Sequence, residues 1–546
     1  MVNTYFNLEN MTNRSELILK LNKKIHWIDF INEMEKYGFL KQNLVSYAFL
    51  NHQKKPINSG NIMLVNNMIE GGAIKDTSLL HINPYIIFRP LTEYQLRHIV
   101  KTSRKFEVPI TFAGGKTGLS GAYANFGIIV DLAELRSNKK HYYVDLVKGL
   151  VHVEQSVLVS DLIKIIPRLS NDKYIFPIQP ASAFKLPVRI GGIISTDASG
   201  VTSGKLGSVL DWLINIRVMT PEGKCINLTK ENPNFTKIIR GNGYFGIVLN
   251  AVFKLYQPEE NLKQAIIFGD DLNSAFNGLQ QVLDNKIFPL VSEFVISPFK
   301  LPGKFANLSE TIKWATLIQG SLNEVESFVR VMENDTKCSH KWLNDDEFDD
   351  FLKERSAFAL LVQTLDKSSD FIAFPGFEDV LSPPKHLPEI LSSINNIFER
   401  NGFQKIIFGY GHINFRRGMG LLLHLRLPVP IDYLYKENRD KIHIICKTVY
   451  EVIQTLKNQF NIKHKAEHSP GPFKIWLEPE FRELLRKEKD QGKTFNNPHL
   501  AIFRELLLNK FKNEILSEKD LNRIDQNLTL GDQQELFIEA MKIYIS

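Results

Sequence analysis

The feature of this sequence that most constrains its fold is a glycine-rich loop at residues 113–121, set between strand and helix signals. Thr92, followed three residues later by Gln95, has the spacing of a capping box and predicts a helix that starts just after it. Short apolar stretches rich in β-branched residues predict strands at residues 85–88, 109–112 and 128–132. The segment therefore predicts the order strand, helix, strand, glycine-rich loop, strand.

Such a loop suits an anion. Glycines allow a positive φ and let a ligand approach the backbone closely, and successive free N–H groups form an anion-sized concavity. A pyrophosphate is the natural occupant, although an ordinary glycine-rich turn explains this loop alone equally well.

Within the loop, Gly115, Lys116 and Thr117 imitate the end of a nucleoside-triphosphate-binding loop. That motif also requires a glycine at position 110, where Ile110 stands, and a helix after the threonine, where a strand is predicted. The sequence therefore argues against an ATPase.

Composition further limits the classes of protein to which this chain can belong. A chain of 546 residues has room for about two or three domains, and its 43% hydrophobic content fits a large core. Cys225, Cys338 and Cys446 lack CxxC spacing, so they predict neither an iron–sulfur module nor a disulfide framework. No segment has the apolar length of a signal peptide or a membrane span. The net charge of +7, without interleaved aromatic and basic residues, argues against nucleic acid as a partner.

Glycine-rich loops recur downstream of the first, at residues 189–200, 204–207 and 240–247, and a turn is predicted at residues 221–223. Four such loops on an α+β frame indicate a long ligand that lies flat against the backbone. The residues that carry this pattern, in chain order, are Arg89, Pro90, Gly114, Gly115, Thr117, Gly118, Leu119, Ser120, Gly121, Ser182, Gly191, Gly192, Thr196, Ala198, Gly200, Gly207, Asp211, Pro221, Gly223, Gly241, Gly243, Gly246 and Ile247.

This series resembles the FAD-binding domain of the vanillyl-alcohol-oxidase superfamily, which is of the PCMH type. Within it, the chain is similar to the branch of D-lactate dehydrogenase, the glycolate oxidase FAD subunit and D-2-hydroxyglutarate dehydrogenase, over residues 80–480. The resemblance implies an α+β fold in which a two-subdomain FAD-binding domain carries a ferredoxin-like cap, flanked here by helical extensions. The implied segments are an N-terminal extension (1–80), the FAD-binding domain (81–258), the cap (259–410), a C-terminal oxidase segment (411–480) and a C-terminal extension (481–546). We expect the C-terminal extension to be a solvated packing appendage, with an interaction or docking helix pair as the alternative.

The implied cofactor is FAD, bound non-covalently because no His or Cys stands where flavinylated relatives carry their linkage. The residues expected to contact it are Gly114, Gly115, Lys116, Thr117, Gly118, Leu119, Ser120, Ser182, Gly191, Gly192, Thr196, Ser199, Gly200, Gly246 and Ile247. Four positions depart from the branch's pattern: Ala113, Lys116, Asp197 and Asn242. Lys116 could add a charge-assisted contact to the pyrophosphate or crowd the loop.

The resemblance also implies a catalytic set. Arg355 matches the arginine that holds the substrate carboxylate in relatives, although a solvated arginine on a charged helix is the alternative. His468 matches the histidine at the substrate and would be the general base. His412, His424 and Glu467 match a site for a divalent metal, with Zn or Mn as the candidate ions. His424 matches only through an inserted loop, and a hydrogen-bonded core histidine is its alternative.

These expectations describe an FAD-dependent dehydrogenase that oxidises a small 2-hydroxy acid by hydride transfer to flavin N5. A quinone or an electron-transfer protein would accept the electrons, and we expect a cytoplasmic protein, either free or peripheral on the inner face of the membrane. The second hypothesis is a flavin-binding subunit that has lost this chemistry and serves binding or assembly; Lys116, Asn242, Met419 and the Ser469-Pro470 pair favour it. No motif favours another superfamily reaction such as alkyl transfer.

Overall fold

The architecture is taken from a computed structural model of the full chain. It describes residues 16–37, 62–64, 82, 84–118, 121–136, 141–296, 312–335, 337–361, 371–374, 380–405, 409–414, 420–434, 441–462, 475–476, 478–515 and 517–545. Leu119, Ser120, Glu467 and His468 lie outside these residues.

The first sheet has four strands in the order β1-β2-β4-β3. These strands are β1 (Ile62–Leu64), β2 (Ile86–Phe88), β3 (Ile110–Ala113) and β4 (Ile128–Asp131). Strands β2 and β3 both pair with β4 in parallel, and the predicted strand order is confirmed. Strand β1 pairs antiparallel with β2, inside a segment that was expected to be helical.

The first three helices are α1 (Glu16–Lys23), α2 (Trp27–Glu35) and α3 (Glu93–Lys105). Helix α3 connects β2 to β3, and the predicted start of this helix is confirmed. The Thr92 side chain accepts from the Gln95 amide, and the Gln95 side chain accepts from the Thr92 amide. Leu96, Ile99 and Val100 are the buried face of α3.

The second sheet is antiparallel, with five strands in the order β5-β6-β9-β7-β8. The strands are β5 (Tyr142–Asp145), β6 (Leu150–Glu154), β7 (Leu213–Met219), β8 (Cys225–Thr229) and β9 (Ile247–Lys254). The helices between them are α4 (Val159–Ser170), α5 (Ile190–Ser195), α6 (Ser203–Leu206), α7 (Val209–Trp212) and α8 (Pro233–Ile239). The two sheets correspond to the two predicted subdomains.

A third, seven-stranded antiparallel sheet has the order β13-β10-β12-β11-β16-β17-β15, and a small pair β14-β18 accompanies it. Its strands are β10 (Lys263–Gly269), β11 (Val291–Ile296), β12 (Trp314–Gly320), β13 (Cys338–Leu343), β15 (Val380–Ser382), β16 (Gly409–Asn414) and β17 (Gly420–Leu425); the pair is β14 (Phe371–Phe374) and β18 (Leu427–Pro430). The accompanying helices are α9 (Leu272–Asp284), α10 (Leu322–Asp335), α11 (Asp345–Leu361), α12 (Leu387–Arg400) and α13 (Lys441–Asn458). This mixture of antiparallel strands and helices has the α+β character expected of the cap, and its sheet continues through β16 and β17, past the expected cap boundary at residue 410.

Helix α2 at the N-terminal end packs onto the first sheet, and one segment of the C-terminal extension contacts that sheet. Trp27 of α2 stacks on Tyr85 with ring centroids 4.2 Å apart. The C-terminal helices are α14 (Pro479–Asp490), α15 (Pro498–Lys510), α16 (Glu518–Gln526) and α17 (Leu530–Ile545). Between α14 and α15, the Phe495 amide donates to the Tyr244 carbonyl (3.1 Å), and the Ile110 amide donates to the Asn496 carbonyl (3.0 Å). The C-terminal extension is thus part of the core beside the glycine-rich loops.

Candidate functional site

One cavity brings the glycine-rich loops and the cap together. The glycine-rich loops contribute one set of lining residues, here called the loop wall: Gly114, Gly115, Lys116, Thr117, Gly118, Ser182, Gly191, Gly192, Thr196, Gly200, Gly246 and Ile247. The cap strands and helix α11 contribute a second set, called the cap wall: Arg355, Tyr410, His412 and His424. Ser199 is buried beside the loop wall. Residues separated by more than 300 positions therefore converge on a single space.

Glycine has two distinct roles in the loop wall. A Cβ on Gly115 would overlap the Pro187 carbonyl oxygen, so this glycine lets two loops touch. A Cβ on Gly192 would meet nothing within 4 Å, and Gly114 has only the Arg189 side chain at that range. Because both residues face the cavity, their missing side chains leave backbone open to a ligand. The loop wall fits the close approach of an extended dinucleotide such as FAD.

Lys116 occupies the position where the branch has glycine, with φ of 57°. Its Nζ lies 2.9 Å from Asp131 Oδ2, and Nη2 of Arg89 lies 3.0 Å from the same oxygen. Asp131 is buried at the end of β4, where two cations share its single negative charge. The carboxylate holds the Lys116 side chain at the edge of the loop, so the lysine does not crowd it.

The departures at Asp197 and Asn242 also have a structural explanation, because both residues adopt positive φ angles near 50°. Asn and Asp tolerate this conformation better than other non-glycine residues. Asp197 Oδ1 accepts from Ser208 Oγ (2.7 Å) and the Leu210 amide (2.9 Å), while Oδ2 lies 3.0 Å from Arg240 Nε. These contacts stabilise the turns around the cavity.

The cap wall is built on a buried carboxylate. Glu293 of β11 is fully buried, and its Oε2 lies 2.9 Å from Arg355 Nε. The other oxygen, Oε1, contacts His412 Nδ1. Arg355 also lies over the Tyr410 ring, with Cζ 4.1 Å from its centroid. Arg355 is only 3% exposed, which excludes the alternative of a solvated arginine.

The two histidines of the predicted metal site lie on paired strands, with ring centroids 5.9 Å apart. Among the described residues, no group of three or more His, Cys, Asp and Glu side chains could hold a metal ion. The third expected ligand, Glu467, lies outside the described residues, as does the expected base His468. Of the three expected ligands, the described part of the chain supplies the two imidazoles.

Glu293, Tyr410 and Arg426 are site residues that the sequence interpretation did not nominate. Glu293 stands alone as a charge within the apolar strand β11, and Arg426 is a lone charge between the apolar strands β17 and β18. Buried charges require partners. Arg426 is buried and donates from Nη2 to the Tyr410 hydroxyl (3.0 Å). The isolated charges of Glu293 and Arg426 were the sequence signal that could have identified these two residues.

Residues 84–229 match a sequence family described as "FAD binding domain". This segment is an FAD-binding domain. It spans β2 to β8 and includes most of the loop wall, so FAD is the cofactor that the family assigns to the cavity.

Curated relatives carry the names of the enzymes that the sequence resemblance predicted. The chain is 24% identical to a D-2-hydroxyglutarate dehydrogenase of Stutzerimonas stutzeri (strain A1501), over 71% of this chain and 83% of that protein. It is 22% identical to a D-lactate dehydrogenase of Anaerostipes hadrus, over 39% of this chain and 45% of that one. It is 23% identical to the glycolate oxidase subunit GlcD of Bacillus subtilis (strain 168), over 39% and 46%. The matches to these last two span less than half of each relative.

Among solved structures, alkyldihydroxyacetonephosphate synthase is similar, with a TM-score of 0.58 and 14% identity over 77% of this chain and 78% of that chain. At this identity the likeness shows the fold alone, and it confirms the predicted fold class. In the described residues, no helix has the length and apolarity needed to cross a membrane.

Proposed function

We propose that this protein is an FAD-dependent dehydrogenase that oxidises a small 2-hydroxy acid of the D-lactate, glycolate or D-2-hydroxyglutarate class. The observation that carries the proposal is the shared cavity, in which a buried arginine and two histidines of the cap wall face the FAD-binding loop wall. The names of the relatives supply the substrate class. When bound, FAD supplies a hydride acceptor at N5, which is the cofactor's own chemistry.

Arg355 is the proposed carboxylate-binding residue. A guanidinium has five N–H donors in a planar fork that matches a carboxylate. In Arg355, Nε lies against Glu293 and the plane lies over Tyr410, so the fork is oriented before a substrate arrives. Burial strengthens its interaction with an anion, since little water screens the charge.

His468 is the proposed general base, which removes the hydroxyl proton while the hydride leaves the adjacent carbon. This assignment rests on the resemblance. The same holds for a Zn or Mn ion on His412, His424 and Glu467. We also infer that the electrons pass onward to a quinone or an electron-transfer protein, and that the protein works in the cytoplasm or at the inner membrane face.

The test is anaerobic bleaching of the flavin absorbance near neutral pH by a panel of D-2-hydroxy acids, with and without a chelator. Arg355→Gln should raise the KM for the acid by about 100-fold, in line with loss of a charge-assisted contact. Lys353→Ala is the matched control, because Lys353 is an exposed cation on the same helix. His468→Ala should retain FAD and lose bleaching.

A yellow wild-type protein that no acid bleaches would contradict this proposal and favour the flavin-binding subunit. A chelator that abolishes bleaching would support the metal site.

A further inference from the structure

Arg189, at the end of the segment that leads into α5, lines the loop wall of the cavity. Its Nη1 donates to the Ser156 carbonyl, while its Nε is buried without a hydrogen-bond partner in the described part of the chain. No carboxylate of the described residues lies within ion-pair distance of this guanidinium. Burial is the largest influence on it and lowers its pKa, while Asp131, Glu134 and Asp161 counteract this from longer range. Arg189 is therefore a half-buried cation with no carboxylate of the described residues paired to it.

A second cation borders the same part of the wall. Lys116 and Arg89 share the single carboxylate of Asp131, which leaves one positive charge in excess at this group. Lys116 and Arg189 both line the cavity, and the Arg189 Cβ is 4.0 Å from the position that a Cβ on Gly114 would take. Two uncompensated positive charges therefore border the loop segment that leaves backbone open to a ligand.

The diphosphate of FAD carries two negative charges, which matches this excess. We propose that Arg189 and Lys116 supply the positive charge that binds the FAD diphosphate in this chain, in addition to the backbone N–H groups of the loops. The Lys116 contact is one of the two alternatives that the sequence left open, whereas Arg189 is not among the residues that the sequence pattern nominated. Asp131 holds Lys116 at the edge of the loop and neutralises part of its charge until the diphosphate arrives.

The experiment measures FAD affinity of the full-length apoprotein by flavin fluorescence, across a series of NaCl concentrations. Arg189→Met, which keeps an unbranched apolar stem and removes the charge, should weaken FAD binding by about 10- to 100-fold, because a charge-assisted hydrogen bond is lost. It should also flatten the salt dependence, since one screened attraction is gone. Lys116→Gly should weaken binding by about 10-fold, because Asp131 then faces the diphosphate with only Arg89 as partner. Lys148→Ala, an exposed cation on the β5–β6 turn, is the control and should change neither quantity.

Competition by fragments separates the diphosphate from the rest of the cofactor. ADP carries the diphosphate, and its inhibition constant should rise in Arg189→Met by the same factor as for FAD. Riboflavin has no phosphate, and its inhibition constant should stay unchanged. Equal loss for riboflavin would indicate a collapsed pocket and overturn the proposal.

Wild-type affinity and wild-type salt dependence in Arg189→Met would also overturn it, as would a change confined to the KM of the hydroxy acid. If Arg189→Met does not fold, Lys116→Gly decides alone, with unchanged affinity and salt dependence as the contrary result. The inference depends on FAD binding rather than on hydroxy acid oxidation. A protein that binds FAD but is never bleached would refute the proposed function and leave these measurements interpretable.

Discussion

The two walls of the cavity are built on different principles. The loop wall is shaped by the backbone: glycines such as Gly115 allow loops to touch, and Gly192 leaves room for a ligand. The cap wall is shaped by side chains, where buried Glu293 connects Arg355 to His412. A backbone-shaped wall is visible in the sequence as a spacing of glycines. A side-chain-shaped wall depends on charges that meet only after folding.

Removal of Glu293 tests the cap wall and should have the largest effect. Glu293→Ala leaves Arg355 buried without its counter-ion, which should lower the free energy of unfolding by about 3–5 kcal/mol. Urea denaturation of the apoprotein measures this change. Glu399→Ala is the control, because Glu399 pairs with Lys405 at an exposed position. Equal losses in the two variants would refute the role of Glu293 as a buried counter-ion.

The loop wall has its own titratable support in His499 of α15. This residue is fully buried; its Nε2 donates to the Ala122 carbonyl (3.2 Å), and its Nδ1 accepts from the Tyr544 hydroxyl (2.5 Å). Both contacts suit the neutral ring. Burial lowers the pKa of His499 to about 4, from an ordinary value near 6.5.

The sign of the pH dependence follows from proton uptake. Between pH 6.5 and 4 the unfolded chain binds a proton at His499 and the native chain does not, so stability falls as the pH falls. The full shift corresponds to about 3 kcal/mol. About 2 kcal/mol of this should be lost between pH 7 and pH 5, and urea denaturation at pH 7, 6 and 5 compares the loss in the wild type with that in His499→Gln. A loss on acidification that is the same in both proteins would contradict the assignment.

Two glycine variants should separate the two roles within the loop wall. Gly115→Ala should destabilise the apoprotein by about 2 kcal/mol, because its Cβ meets backbone that cannot move aside. Gly192→Ala should leave apoprotein stability unchanged and weaken FAD binding by about 10-fold, because its Cβ enters ligand space. Thermal unfolding without FAD and flavin titration measure the two effects. If Gly192→Ala binds FAD normally, this stretch of backbone does not face the cofactor.

The same distinction explains what could be predicted from the sequence. The first sheet, the start of α3 and the loop positions followed from local signals: strand composition, a capping box and glycine spacing. Strand β1 has three residues, which is too short for a periodic pattern. The docking of Phe495 on Tyr244 joins segments about 250 positions apart, and no local pattern encodes such a contact. Glu293 was detectable as a lone charge in a strand, but its pairing with Arg355 and His412 was not.

Asp197 should give the smallest effect, and it tests whether a departure from the branch's pattern matters. Asp197→Asn restores the branch's residue and keeps an oxygen for Ser208 and the Leu210 amide, so the turn at positive φ should persist. The loss is the ion pair with Arg240, whose side chain is 51% exposed and therefore screened by solvent. We expect a decrease of less than about 1 kcal/mol in the free energy of unfolding, and unchanged FAD affinity. Urea denaturation and flavin titration check both. A larger loss would mean that the buried carboxylate stabilises the loop wall through its charge, and the contrast between a backbone-shaped and a side-chain-shaped wall would then fail at this residue.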